Sequence, residues 1–244
     1  LSLMGLIRDL KIFFGNKEIF KTYQSDIDDL EINFVNMSPE DCPKITFLEI
    51  EIEQETIKKY KSYLENYFSV LGNNKTNFFT DISNYLSYEQ GQPTHCFDSD
   101  FIQNELIFEN KNCDEPFKTL LGSEIELKGK NCVFTKDNKI ISLAGIMGGD
   151  SSACSAETKK VLIECAYFNP ESIIGKSLKY NLNSDAAHKF ERGVDLNSQE
   201  KVLRRYIKIV QDHVEIKNVR IKSISEREFH NKTLPFIALK LAEF

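Results

Sequence analysis

From Gly91 to Tyr167 the apolar residues recur with period two rather than 3.6. Candidate strands fall at Glu105 to Phe108, Cys132 to Thr135, Ile140 to Leu143 and Val161 to Tyr167, joined by polar turns, and they commit the middle of the chain to sheet. Lys44 to Ile52 and Glu31 to Val35 alternate in the same way, so the surrounding acidic run reads mostly as the solvated face of strands. Helical spacing takes over on either side. Leu3 to Phe14 carries an apolar stripe that stops at Gly15, and Gln54 to Val70 aligns Ile57, Tyr60, Tyr63, Leu64, Tyr67 and Phe68 before Gly72-Asn73-Asn74. A shorter helix is expected over Asp81 to Tyr88, a helix start at Asn169-Pro170-Glu171-Ser172, and a long amphipathic helix with a basic outer face over Asn197 to His213, followed by a strand to Ser225. The pattern predicts an α+β fold, a mixed β-sheet core in layers with flanking helices.

With 244 residues, 41% hydrophobic and 28% charged, the chain is long enough to bury a sizeable core, and no apolar run approaches the twenty or so residues of a membrane span. A net charge of -6 excludes a nonspecific nucleic-acid binder acting through bulk charge, so any RNA contact is local. Six cysteines at 42, 96, 113, 132, 154 and 165 form no Cys-x-x-Cys pair and no Cys/His cluster at metal-ligand spacing; they read as reduced thiols, with no metal site, in a cytoplasmic protein. The start at Leu1 and the apolar pattern from Pro235 to Leu241 suggest a segment of a longer protein.

Four stretches could carry chemistry. In Gly91-Gln92-Pro93-Thr94-His95-Cys96-Phe97-Asp98, turn residues place His95 between a helix and a sheet, as a candidate base or water-orienting group or as a structural hydrogen-bonder. Cys96 is adjacent, but neighbouring side chains diverge, which disfavours a Cys/His nucleophilic pair. Leu143-Ala144-Gly145-Ile146-Met147-Gly148-Gly149 runs a strand into a glycine-dense turn that is either a tight turn with φ > 0 or a backbone site for an oxyanion or carbonyl; no Gly-Lys-Ser/Thr follows, so it is not a phosphate loop. Val161 to Phe168 sets one carboxylate, Glu164, inside an apolar strand, which demands either a salt bridge or a pocket in which it accepts hydrogen bonds. Ser184 to Asp195 reads as a helix N-terminus with a capped exit, with His188, Glu191 and Arg192 as surface charges or a salt-bridge network.

Taken in order, these stretches resemble the central editing module of the bacterial phenylalanyl-tRNA synthetase beta subunit. That family carries Asp-Ile-Thr-Asn-Tyr, Gly-Gln-Pro-x-His-x-Phe-Asp, Ala-Gly-x-Met-Gly-Gly, Leu-Glu-x-Ala-x-Phe-x-Pro and Thr-x-Ala-Ser-x-Arg-Phe-Glu-Arg-Gly-Val-Asp; here they stand at Asp81 to Tyr85, Gly91 to Asp98, Ala144 to Gly149, Ile163 to Pro170 and Ser184 to Asp195. The resemblance is firm over about residues 72 to 196 and implies three parts: residues 1–36 as the tail of a preceding domain, 37–226 as the module, and 227–244 as the start of another domain.

It further implies hydrolysis of tyrosine wrongly esterified to tRNA(Phe), within a synthetase whose alpha subunit performs aminoacylation. A pocket for phenylalanine rejects an added hydroxyl poorly, whereas a second site that hydrogen-bonds the hydroxyl discriminates by roughly 10⁴ to 10⁵. By this resemblance Glu164 contacts the tyrosine hydroxyl, His95 lies near the ester as the catalytic orienter, Ser83 and Asn84 line the pocket wall, Gly145 and Gly148 present backbone to the amino acid, Ser184 stands at the family's threonine, and Ala186 leaves room for the ligand. The implied partners are the alpha subunit, in a heterotetramer of two alpha and two beta, and tRNA(Phe), with no membrane; no cofactor is implied for this segment, while the full synthetase uses ATP and magnesium. Departures are Asn74 where the family has arginine, and Ala186-Ala187-His188-Lys189 where it has Ala-Ser-His/Tyr-Arg. The alternative is a non-editing structural module that holds the alpha subunit and tRNA, and Asn74 is the feature that favours it.

Overall fold

The computed structural model describes residues 2–14, 20–53, 57, 59–103 and 105–225. In chain order the elements are α1 (Leu3–Phe14), β1 (Asp28–Asp29), β2 (Phe34–Asn36), β3 (Lys44–Ile52), α2 (Ser62–Leu71), α3 (Phe78–Gln90), β4 (His95–Asp98), β5 (Leu106–Lys118), β6 (Glu124–Lys136), β7 (Lys139–Leu143), β8 (Met147–Gly148), β9 (Lys160–Tyr167), α4 (Pro170–Ile173), α5 (Lys176–Lys179), α6 (Asp185–Phe190), α7 (Gln199–His213) and β10 (Ile216–Ser225). They form two five-stranded sheets, ordered β1-β10-β3-β9-β4 and β2-β5-β6-β7-β8. Both are mixed: β1 runs parallel to β10 and β2 parallel to β5, and the other pairings are antiparallel. The fold is α+β.

The first sheet is buried on both faces, because the period of two sends alternate residues of β3 and β9 into two different cores. Leu48, Ile50, Val161, Ile163 and Cys165 meet Leu64, Ile82, Leu86, Leu203, Tyr206 and Val210 of α2, α3 and α7. Ile45, Phe47, Leu162 and Ala166 face the second sheet, where Phe108, Phe134 and Leu143 complete the other core. A layer of helices, a central sheet and an outer sheet result.

Several elements depart from the sequence pattern. The helix expected over 54–70 begins only at Ser62; Tyr60 is held by its hydroxyl, which donates to Asp81 Oδ2 at 2.7 Å, and Lys61 N donates to His213 Nε2 at 2.9 Å. Positions 54–56 and 58 lie outside the described residues, as do Gly15 and the domain start expected at 227–244. Of the strand expected at Glu31 to Val35 only Phe34 and Val35 lie in one, β2, and β1 precedes it at Asp28–Asp29. Strands expected at 105–108 and 132–135 belong to a hairpin whose arms each reach 13 residues; Pro116 is accommodated because the short β2 ends well before it, leaving that edge unpaired. The acidic run is not uniformly solvated: Glu49 is 9% exposed and meets Ser99 Oγ at 2.8 Å and Lys160 Nζ at 3.1 Å. The basic face of α7 is largely neutralised, since Arg205 is buried against Glu89, Arg204 pairs with Glu200, and Lys208 pairs with Asp212.

Candidate functional site

A cleft of about 760 Å³ lies where edge strand β4 of the first sheet approaches the β7–β8 end of the second. Five places contribute to its walls. Helix α3 contributes Thr80, Ser83, Asn84 and Ser87, whose spacing puts them on the face opposite the buried Ile82 and Leu86. The β4 entry contributes Pro93, Thr94 and His95; the turn after β7 contributes Gly145 to Gly148; β9 contributes Glu164; and α6 with its N-cap contributes Ser184, Asp185, Ala186 and Lys189. All eight residues singled out in the sequence, His95, Glu164, Ser83, Asn84, Gly145, Gly148, Ser184 and Ala186, line this cleft.

His95 and Glu164 are direct cross-strand partners in the antiparallel β4–β9 ladder, so their side chains leave the sheet on the same face. The chain is led to His95 by a left-handed turn at Gly91, φ 81°, and by Gln92, whose side-chain amide donates to the carbonyls of Pro93 and Ala166 at 3.0 Å. The imidazole sits edge-on to Phe97 at 4.4 Å, and its Nε2 is buried without a hydrogen-bond partner among the described residues. Burial lowers its pKa to about 4, so the ring is neutral at physiological pH. Glu164 is 4% exposed, flanked by Phe47 on β3 and His95 on β4. Among the described residues no ion pair reaches it. Burial raises its pKa to about 8, opposed only in part by a hydrogen bond from the backbone of Ala166. Of the two readings of this carboxylate, the salt bridge is not what the fold provides; the side chain lines a cleft instead.

The glycine turn does two different things. Gly145 has φ +69°, and a Cβ there would come within 2.9 Å of Phe168 and 3.2 Å of Ile173 and Phe190, so core packing as well as backbone conformation requires glycine. At Gly148 a Cβ would lie 2.3 Å from His95 Cε1: the absent side chain is the space the imidazole occupies. Ser184 uses its one hydroxyl proton on Ile146 O at 2.6 Å and accepts from Ala187 N at 3.1 Å, which ties α6 to the glycine turn. Ser83 shares its hydroxyl with Thr94 at 2.9 Å and Cys96 at 3.1 Å, whereas Asn84 is exposed in the cleft. Burial pushes the Cys96 thiol up to about 11, which removes it as a nucleophile. Glu191 accepts from Gly175 N at 3.1 Å and Arg192 donates to His188 O at 2.8 Å, so no Glu191–Arg192 pair forms among the described residues.

Thr80, Ser87, Thr94, Ser142 and Lys189 also line the cleft and were not anticipated. The signal for the first two was present in the polar stripe at Thr80, Ser83, Asn84 and Ser87 on a helix otherwise rich in apolar residues. Among the described residues no group of three or more His, Cys, Asp or Glu side chains is placed to hold a metal ion. No helix among them is long and apolar enough to cross a membrane.

A cleft of this size, with walls of mixed polarity at the meeting of two sheets, makes this α+β module a candidate for binding a ligand. The chain belongs to the B3/4 domain family, whose family model matches residues 46–215. It is homologous to proteins named phenylalanine–tRNA ligase beta subunit, with 38% identity over 132 residues to that of Pectobacterium atrosepticum (54% of this chain, 17% of that one) and 39% over 141 residues to that of Burkholderia pseudomallei (58% and 17%). The chain therefore spans about 17% of the length of these curated relatives. Its fold is similar to the crystal structure of an N-terminal fragment of the phenylalanyl-tRNA synthetase beta-subunit from Pyrococcus horikoshii, with a TM-score of 0.51 and 12% identity over 93% of this chain and 62% of that one.

Proposed function

We propose that this chain is an editing module that hydrolyses tyrosine misesterified to tRNA(Phe), in the cytoplasm, as part of a synthetase in which an alpha subunit forms Phe-tRNA(Phe) from ATP, phenylalanine and tRNA. The observation that carries the reading is Glu164: a carboxyl almost fully removed from water, lining a cleft, with one backbone N–H and, among the described residues, no side-chain partner. A tyrosine phenol completes the hydrogen bonding of that carboxyl, and a phenylalanine ring leaves it unsatisfied, which costs about 1–3 kcal/mol or more for a group of this polarity.

The reaction asks little more of the protein. An aminoacyl ester is already activated, so positioning of water and stabilisation of the developing oxyanion are the main requirements. His95, neutral and held against Gly148, accepts a hydrogen bond from the attacking water. The water oxygen bonds to the ester carbonyl carbon, the bond from that carbon to the ribose oxygen breaks, and the water proton ends on the ribose hydroxyl. The products are tyrosine and deacylated tRNA.

The competing reading is a module without hydrolytic function that holds the alpha subunit and tRNA; Asn74, at the cleft where the resemblance expects arginine, favours it. Deacylation of preformed Tyr-tRNA(Phe) and Phe-tRNA(Phe) by the assembled synthetase separates the two. Tyrosine-selective loss that falls in His95→Ala, and loses selectivity in Glu164→Ala, supports editing. Loss no faster than in buffer in the unsubstituted enzyme refutes it.

A further inference from the structure

Four charged side chains line the cleft: Asp150, Glu164, Asp185 and Lys189. Asp150 is already paired with Lys118 at 2.9 Å. Glu164 lies on the floor. The remaining two belong to α6 and its first turn, four residues apart, and Lys189 is the one lysine or arginine among the described residues that lines the cleft. It is half-buried, and among the described residues no carboxylate lies within ion-pairing distance of it. Its desolvation is offset only by the longer-range attraction of Asp185, and this holds its pKa below the usual lysine value. Holding an ammonium group partly out of water with no ion pair costs free energy that an anionic ligand returns.

The chemistry of the ligand decides which anion. An aminoacyl ester has no free carboxylate, because that carboxyl is the ester, and its α-amino group is a cation. The nearest negative charge on an aminoacylated nucleotide is the phosphate 5′ to the ribose that carries the ester. We infer that Lys189 is a ligand-positioning residue that holds this 5′-phosphate, and so sets where the ester lies relative to His95. This rests on the reading of the cleft as a site for a tyrosyl ester of a nucleotide. Exposed amides of Asn73, Asn74 and Asn183 at the same cleft supply neutral donors near the path of the chain.

The test uses two non-hydrolysable probes, 3′-deoxy-3′-(L-tyrosylamino)adenosine with and without a 5′-phosphate, titrated calorimetrically into the full-length protein with the subunits that accompany it. The wild-type protein is expected to bind the phosphorylated probe about tenfold or more tightly than the other, as one charge-assisted contact implies. Lys189→Met should reduce that ratio to below about twofold, and Lys189→Arg should restore it. Because both affinities come from one preparation, a folding defect lowers them together and leaves the ratio intact. Equal binding of the two probes by the wild type, or an unchanged ratio in Lys189→Met, overturns the role of Lys189 while leaving the tyrosyl-ester reading standing. Binding of neither probe overturns that reading and the inference with it.

Discussion

Glu164 should be a neutral carboxylic acid at pH 7, and replacing it by glutamine should remove a pH dependence of stability that the wild type carries. Its pKa is raised from the ordinary 4.5 to about 8, because the strand pattern carries it into an apolar interior between Phe47 and His95 with a single backbone donor. Since the folded-state value lies above the unfolded one, the unfolded chain gives up the proton first as pH rises. The contribution to stability is thus fully present below 4.5, declines as pH rises toward 8, and is flat beyond. At about 1.4 kcal/mol per pH unit the whole range is worth about 5 kcal/mol, of which about 2 kcal/mol falls between pH 6.5 and 9. His95 acts at the other end: its lowered value of about 4 means that stability is lost as pH falls from 6.5 toward 4, so it adds little to the alkaline change. Urea unfolding of wild type and Glu164→Gln at pH 6.5, 7.5 and 9 should give curves that diverge by about 2 kcal/mol over this range, the variant losing less. Infrared difference spectra should contain a protonated carboxyl stretch at pH 6.5 that disappears at pH 9 and is missing from the variant. Parallel stability curves, or a carboxyl already ionised at pH 6.5, would refute the argument that desolvation dominates at this position.

Two further substitutions test the scaffold around the cleft. Gly148→Ala places a methyl group 2.3 Å from His95 Cε1, so the imidazole must rotate away; the expected cost in stability is about 1–3 kcal/mol, and hydrolysis of Tyr-tRNA(Phe) should fall to the level of His95→Ala, with the double variant no worse than either single one. Arg205→Met leaves Glu89, fully buried, without the guanidinium that now donates to both its oxygens at 2.9 and 3.0 Å; urea unfolding should register a loss of about 3–5 kcal/mol that Glu89→Gln in the same chain partly restores.

Much of this architecture was legible because alternation is a local property. Lys44 to Ile52 and Val161 to Tyr167 announce strands buried on one face at least, and the anomaly of Glu164 among them points to a cleft. The helix cap at Ser184 and the left-handed Gly72 and Gly91 were equally readable, since each answers a backbone requirement a few residues long. What could not be read depends on partners distant in sequence. The outer half of the β5–β6 hairpin is polar apart from Cys113, Phe117, Ile125 and Leu127, and its strands are held by each other rather than by an apolar run. Tyr60 fits a helical stripe by spacing, yet its hydroxyl goes to Asp81, 21 residues on, and the helix starts later. Lys189 looks like a surface charge in the sequence; only the closure of α6 over the cleft makes it a half-buried one.

His95 and Glu164 together set the character of the cleft floor. Cross-strand neighbours on one face, they would form an ion pair in water-rich surroundings, and both are instead driven to their uncharged forms by the same burial. An ion pair would satisfy each with the other and leave nothing for a ligand. Two neutral groups keep unused hydrogen-bonding capacity: the imidazole, whose buried Nε2 has no partner among the described residues, and the carboxyl, able both to donate and to accept. A phenol can do both in return, whereas a phenyl ring can do neither. On the proposed editing function, selectivity for a hydroxyl follows from the penalty on leaving Glu164 unpaired rather than from any loss of fit, because phenylalanine is the smaller ligand and enters wherever tyrosine does. On that proposal the free-energy cost of holding an acid in an apolar strand is the source of the discrimination, and a variant that relieves it, such as Glu164→Leu, should gain stability at alkaline pH while treating the two amino acids alike.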